Sequence, residues 1–353
     1  METTAIIIAS FVATYLATYW IIKWSYRNSI GLDQPGERKV HLVPTVRIGG
    51  LGIYAGFLIA LPFIVISERI VSAIFGSAII LAVGLWDDVK GINWKVKMLG
   101  IFAASTLVIF YGNIRLKHLG DLFGNGQVEL GVWSIPFTYF CIIGVVNAIN
   151  LIDGINGLAA GISVIAFAVL TYFAYIAGYS NLVYINMAAT AALLAFLRYN
   201  FPNGRIFLGD CGSMLAGFLL ATASIQIFQG MQHHYQPMLA VLILAVPIGD
   251  AVRVMAHRAL RGAHPFMADE THFHHILLAA DVCPKTVSAS IWFMSAIFGV
   301  GAILLKDETG WIQLIFLFNA YALIGIFIAL LLEMRKKAQK GRKNAAQETN
   351  LTA

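Results

Sequence analysis

Apolar runs of near-membrane length recur along almost the whole chain, and that leaves few folds open. A helix needs about 20 predominantly apolar residues to cross a bilayer. Such runs fall at about 5–24, 48–66, 71–86, 97–112, 132–149, 158–177, 181–197, 212–230, 237–256, 288–305 and 311–332. Backbone polar groups in hydrocarbon must be satisfied inside the segment, so the runs read as helices. The expectation is an all-α integral membrane protein with about eleven transmembrane helices. Of the 353 residues, 59% are hydrophobic and 12% charged, against about 25% charged in an average soluble domain. No stretch is left over for a soluble domain.

Charge then places the ends. The tail EMRKKAQKGRKN is basic and belongs in the cytoplasm, and an odd number of spans puts the N-terminus outside. In that orientation only Arg69, Arg115, Lys117 and Lys306 of the 24 lysines and arginines lie outside. The net charge of +6 therefore reflects membrane topology and not nucleic-acid binding. The first run is too long for a cleavable signal and has no basic segment before it, so it reads as a span. Cys141 falls within a span and Cys211 and Cys283 in cytoplasmic segments, which excludes a disulfide framework. A single polytopic domain is expected over 1–334, followed by a basic disordered tail over 335–353 near anionic headgroups. Outer loops are short except HLGDLFGNGQVELG, residues 118–131, where Asn125 and Gly126 signal a small external β-hairpin.

The long connections are cytoplasmic, and four of them carry polar clusters. In LWDDVKGINWKVK, Asp87 and Asp88 close an apolar run, with Lys97 following. A polar cap with lysine counter-ions is the bland account. Two adjacent carboxylates at a membrane edge are better explained by a cationic partner, and hard oxygen ligands point to magnesium, with manganese as a substitute. The stretch NAINLIDGINGLAAG carries Asn147, Asn150, Asp153 and Asn156 among glycines. A helix cap needs one such residue, not four, and amides opening a helix favour phosphate. RYNFPNGRIFLGDCGSMLAGF brings Asn200, Arg205, Phe207 and Asp210 to the same side.

HRALRGAHPFMADETHFHHIL gathers His257, His264, His272, His274 and His275 with Arg258 and Arg261. A zinc site would more naturally recruit cysteines or an HExxH helix. A merely solvated basic loop is the other alternative, whereas arginines beside histidines suit a diphosphate. All four clusters serve one task together: holding a phosphorylated compound and a metal against a membrane partner, with Lys97 and the arginines neutralising charge during phosphoryl transfer. A divalent-ion or anion transporter would also concentrate charge, but near the bilayer midplane; here Asp250 is the deepest such residue. Pro247 and Gly249 beside it mark either a plain kink or a groove for a lipid tail.

In this order, DD…K, NxxNxxDGxxGL, FxGDxGS and HxHH resemble the motifs of the polyprenyl-phosphate N-acetylhexosamine-1-phosphate transferases, the WecA/TagO-like branch of the MraY superfamily, over about residues 33–277. The resemblance implies transfer of a sugar 1-phosphate from a UDP-sugar to undecaprenyl phosphate, releasing UMP. It implies a multi-pass protein of the bacterial inner membrane with its active site towards the cytoplasm, serving the first membrane step of a surface polysaccharide or teichoic acid pathway. A homodimer is compatible with it. By the same resemblance Asp210 and Asn150 are magnesium ligands with Asp88 close to the metal, and Asp87 positions the lipid phosphate or takes its proton. Asp153 joins these as a catalytic candidate. Phe207 stacks on uracil, Asn200 and Asn156 line the uridine side, Asn147 is a further substrate-binding candidate, and Lys97, Arg258, His272, His274 and His275 contact the diphosphate or sugar. Many bacterial members read DGxDGL where this chain has DGINGL, so Asn156 replaces an aspartate; Val46 stands where many have proline. The form HPFMADETHFHH resembles GlcNAc-type members, so UDP-GlcNAc is the first donor, ahead of GalNAc, QuiNAc, FucNAc and MurNAc-pentapeptide sugars.

Overall fold

The structure, a computed structural model, describes residues 2–34, 43–230, 235–262 and 271–351. His264, Arg38 and Lys39 lie outside the described residues. The helices run, in chain order, α1 Glu2–Asn28, α2 Gly50–Phe57, α3 Glu68–Lys90, α4 Trp94–Thr106, α5 Ser134–Ile152, α6 Leu158–Ile176, α7 Ser180–Asn200, α8 Gly209–Phe228, α9 Met238–Ile243, α10 Ala245–Leu260, α11 Phe273–Ala279, α12 Pro284–Leu304 and α13 Gly310–Leu351. Nine helices among the described residues are long and apolar enough to cross a membrane.

Two of the eleven expected spans take another form. The run near 48–66 is a shorter apolar helix, α2 continued as a 3-10 segment over Leu58–Phe63. The run near 237–256 is broken at Leu244 into α9 and α10. Pro247 sits in the first turn of α10, where its missing N–H is no loss. Tyr321 of α13 closes the break by donating its hydroxyl to the Ala245 carbonyl. The loop at 118–131 folds back through one antiparallel bridge, His118 to Glu129, without forming strands. The last helix continues through Leu351, into the stretch expected as a disordered tail. Its Lys, Arg, Ala, Gln and Glu are strong helix formers.

Local chemistry sets the helix ends that matter. The Ser67 hydroxyl accepts from the Ile70 amide to start α3, and Lys90 and then Gly91, at φ 65°, end it. The Asn93 side chain accepts from Lys95 N at 2.9 Å and starts α4 two residues later. The α3–α4 connection is thereby held to a tight turn, with Lys97 one turn into α4.

The core sits around α8, whose apolar stretch is 94% buried, flanked by α3, α5, α2 and α6. Glycines permit that burial by letting backbones meet. A Cβ on Gly50 of α2 would lie 2.5 Å from the Cys211 carbonyl carbon, and one on Gly84 of α3 would lie 2.5 Å from Cys211 Cα. Both neighbours are main chain and have no rotamer with which to yield. The start of α8 is therefore clamped from two sides, at the one end of the bundle where α3 ends and α4 begins. A strand pair, β1 Leu32–Asp33 with β2 Thr45–Val46, and a bridge from Val46 to Ile206 bring Arg47 to the same end.

Gly84→Ala is expected to lower the thermal midpoint in detergent through overpacking of about 1–3 kcal/mol. Gly144→Ala, whose added carbon meets nothing within 4 Å, is expected to leave it unchanged. A thermal unfolding comparison of the two variants checks this.

Candidate active site

Asp87 and Asp88 are neighbours with different tasks, because successive residues on a helix point about 100° apart. Asp87 Oδ1 accepts from Ile92 N at 2.7 Å and closes the turn after α3. Its other oxygen lies 2.7 Å from Lys97 Nζ, and Lys97 also pairs with Asp210. Asp88 turns inward, its side chain wholly buried, and its two oxygens accept from Asp210 N and Cys211 N, each at 2.9 Å. It thus caps α8 from a different helix, placing a negative charge where the amides and the helix dipole favour one. Arg47 Nε stands 3.2 Å from Asp88 Oδ1, and its remaining nitrogens are 3.8 Å from Asp33 and from Asp210. These carboxylates hold the guanidinium above its usual pKa despite burial, which works the other way. Gly209 is required before Asp210: at φ 73°, any Cβ would overlap the Arg47 carbonyl and approach Asp88 Oδ2 to 2.6 Å.

The second cluster meets the first across α8. Asn150 Nδ2 donates to Ser213 Oγ at 2.9 Å, and that hydroxyl donates to Gly209 O at 2.9 Å. Asn150 Oδ1 is thereby turned away from the helix interior contact made by its amide nitrogen. Asn147 instead turns back on its own helix, donating to Ile143 O at 2.8 Å. Asp153 follows the end of α5, and its carboxyl is pushed up to about 8 by burial and then by the charges of Asp210 and Asp88, with Arg47 opposing. No side chain among the described residues hydrogen-bonds it.

Asn200, expected to line the uridine pocket, is buried at the end of α7. Its Oδ1 accepts from Gly157 N at 2.7 Å and its Nδ2 donates to Ile206 O at 2.8 Å, so the buried amide braces two loops. Asn156, half-buried, reaches Pro202 O at 3.4 Å from the other side of that brace. Phe207 is half-buried and its backbone is fixed to Val46 and Gly49.

The histidine segment reaches the same place. His274 is buried, and a Cβ on Gly154 would overlap its imidazole, so the ring lies directly on the Asp153–Gly157 turn. Burial, with His275 and His272 adding, drives its pKa down to about 3 and keeps it neutral. The His274 and His275 ring centroids are 4.2 Å apart, and His272 stacks 5.9 Å from His274. Arg258 is buried in the last turn of α10. Arg47 and Asp250 were visible in the sequence only as a charge marker and a deep carboxylate. Here Arg47 spans three carboxylates, and Asp250 pairs with His272 Nδ1 at 2.8 Å.

Four carboxylates, Asp33, Asp87, Asp88 and Asp210, thus surround two cations, Arg47 and Lys97, and Asp153 feels the same charges. The raised pKa of Asp153 reflects its burial first and then the nearby charges of Asp210 and Asp88. A hard divalent cation fits this oxygen-rich set, with Asp210 and Asn150 as donors and Asp153 close by. Asp88 is less available than its motif implies, since both of its oxygens are engaged with amides. No three His, Cys, Asp or Glu side chains among the described residues already form a cage.

The Glycosyl transferase family 4 model matches residues 70–228, which span α3 to the end of α8. The chain is 31% identical over 305 residues to the probable undecaprenyl-phosphate N-acetylglucosaminyl 1-phosphate transferase of Bacillus subtilis (strain 168), covering 86% of this chain and 84% of that protein. It is 28% identical over 340 residues to the undecaprenyl-phosphate alpha-N-acetylglucosaminyl 1-phosphate transferase of Escherichia coli (strain K12), covering 92% of each. The protein of that name from Salmonella typhi is 28% identical over 332 residues, covering 89% and 90%.

Asp153→Asn tests the electrostatics in metal-free protein. A carboxyl near pKa 8 when folded and about 3.9 when unfolded takes up a proton on folding between those values. Its contribution is therefore full below about pH 4 and is lost as pH rises to about 8. Relative to wild type, Asp153→Asn should gain thermal stability across that window and level off above it. Unfolding midpoints from pH 4 to 9 read the effect.

Proposed function

The chain belongs to glycosyl transferase family 4, among the undecaprenyl-phosphate N-acetylglucosaminyl 1-phosphate transferases, and from that membership we propose that it moves GlcNAc 1-phosphate from UDP-GlcNAc to undecaprenyl phosphate. The products are undecaprenyl-diphosphate-GlcNAc and UMP. One observation carries the reading: Asp87, Lys97 and Asp210 form one ion-paired group, beside Asn150 and Ser213, at the end of the bundle where the histidine segment also packs. An odd number of spans with the N-terminus outside would put that end in the cytoplasm, where nucleotide sugars are. The lysine and arginine bias supports this orientation, in a bacterial inner membrane.

Asp210 and Asn150 would hold magnesium, with Asp153 close by and Asp88 setting the position of Asp210 through its backbone. Held there, the ion would supply Lewis-acid neutralisation of the charge that develops on the diphosphate. The chain's own residues do the rest. Lys97, released from one of its two aspartates as substrate enters, pairs with the phosphoryl oxygens. Asp87 positions the incoming lipid phosphate. A phosphate monoester has its second pKa near 6, so it arrives largely dianionic and needs no strong base. Direct attack then makes a covalent enzyme intermediate unnecessary. Arg258 and the histidine segment receive the diphosphate and sugar, while Phe207 and Asn156 flank the uridine, with Asn200 bracing the loops that carry them.

UMP release by detergent-purified protein, given undecaprenyl phosphate and a panel of UDP-HexNAc sugars, tests this. Release with UDP-GlcNAc that magnesium restores and EDTA abolishes is expected, and Lys97→Met should lower it by about 100-fold or more. Release with a different sugar would reassign the donor. No release with any sugar from folded protein would overturn the reading.

A further inference from the structure

Asp250 lies in α10, one turn beyond the break that Tyr321 closes, and it is 1% exposed. A carboxylate so buried must be fully compensated, and three donors converge on it. His272 Nδ1 lies 2.8 Å from Oδ2, while Phe273 N at 2.9 Å and Arg253 Nη2 at 2.8 Å both reach Oδ1. Arg253 is itself fixed, donating to Thr271 O and lying 4.6 Å from the centre of the Phe273 ring. The carboxylate, the guanidinium and the backbone at 271–273 therefore form one rigid unit, and the single movable ring attached to it is His272.

An ionised carboxylate accepts and cannot donate, so the proton on that side of the imidazole sits on Nδ1. The other nitrogen, Nε2, makes no hydrogen bond to a described residue. The ring faces its neighbours His274 and His275, centroids 5.9 and 6.5 Å away, and His274 in turn lies on the Gly154 turn. The imidazole is thus held at a set angle beside the turn that carries Asp153.

We propose that Asp250 is a positioning residue for the transfer reaction: it fixes the His272 ring and its tautomer, so that Nε2 is presented to the sugar diphosphate. This rests on the function proposed above. Asp250 touches no substrate and acts through His272 alone. Its second oxygen, through Arg253 and Phe273 N, keeps the start of α11 from rotating and taking the ring with it. Among the described residues, Arg253 is the one arginine or lysine paired with it.

The substitution that separates these roles is Asp250→Asn. Asparagine keeps an oxygen for Phe273 N and Arg253, but it turns an N–H towards Nδ1 and drives the proton to Nε2. Loss of the carboxylate partner of a functional histidine lowers activity by about 10- to 100-fold. Asp250→Asn is expected to lower kcat for UMP release by that factor with KM for UDP-GlcNAc nearly unchanged, and Asp250→Glu to recover part of it. In a His272→Gln background, Asp250→Asn should add less than about a twofold loss, because residues acting as a unit are not additive. An equal loss in both backgrounds would overturn the proposal. Should Asp250→Asn not fold, the same cycle is read with Asp250→Glu. Nitrogen-15 shifts of His272 provide a readout independent of turnover: Nδ1 should be protonated in wild type and unprotonated in Asp250→Asn. If wild type releases no UMP yet the shifts change in this way, the proposed function fails and the Asp250–His272 linkage stands. If the shifts do not change, the linkage itself is wrong.

Discussion

Both oxygens of Asp88 receive amide hydrogens from the first turn of α8, and the order of the whole site follows from that contact. A helix start has amides without partners, and in a buried setting each would cost about 1–3 kcal/mol if left so. Asp88 satisfies two of them from α3, so α3 and α8 have a fixed register. The register sets where Asp210 stands, since its own backbone N–H is one of the two. It also sets Lys97, which is carried by the turn that Asp87 closes and which meets Asp210 from the α4 side. Gly50 and Gly84 make the contact sterically feasible, and Arg47 supplies the countercharge that makes a buried carboxylate tolerable there.

Charge balance then gives the site its chemistry. A structural cluster would pair its ions and stop. This one leaves negative potential in excess, felt most by Asp153, whose carboxyl has burial and two like charges against it and one arginine for it. Such an excess would be relieved by a bound cation. Lys97, shared between two aspartates, is the group most readily redirected to a phosphate. The neutral His274 on the Gly154 turn adds a packed wall without adding charge.

Much of this was legible in the sequence, and the limits have physical causes. The apolar runs marked every long helix, because the bilayer requires length and hydrophobicity that composition displays directly. They did not show that the ninth run is two helices: hydropathy averages over a break, and the Tyr321 hydroxyl that meets Ala245 O beside it comes from a distant helix. The motifs identified Asp87, Asp88, Asn150, Asp153, Asp210 and the histidines as residues that meet. They did not separate Asp87 from Asp88, whose tasks differ through side-chain direction alone. The resemblance places Asn200 at the uridine, while the hydrogen bonds of its side chain go to Gly157 and Ile206, partners that a motif does not display. Arg47 and Asp250 were hidden because their importance lies in long-range partners, 41 and 163 residues on in the case of Arg47 with Asp88 and Asp210.

The central claim is that the start of α8 gathers carboxylates around a place for one divalent ion. Titration of Mn2+ into purified, metal-free protein, followed by electron paramagnetic resonance of the free ion, tests it most directly. The account predicts one tight site per chain in wild type and its loss in Asp210→Asn, with the folded state retained. An unchanged tight site in folded Asp210→Asn protein would contradict it.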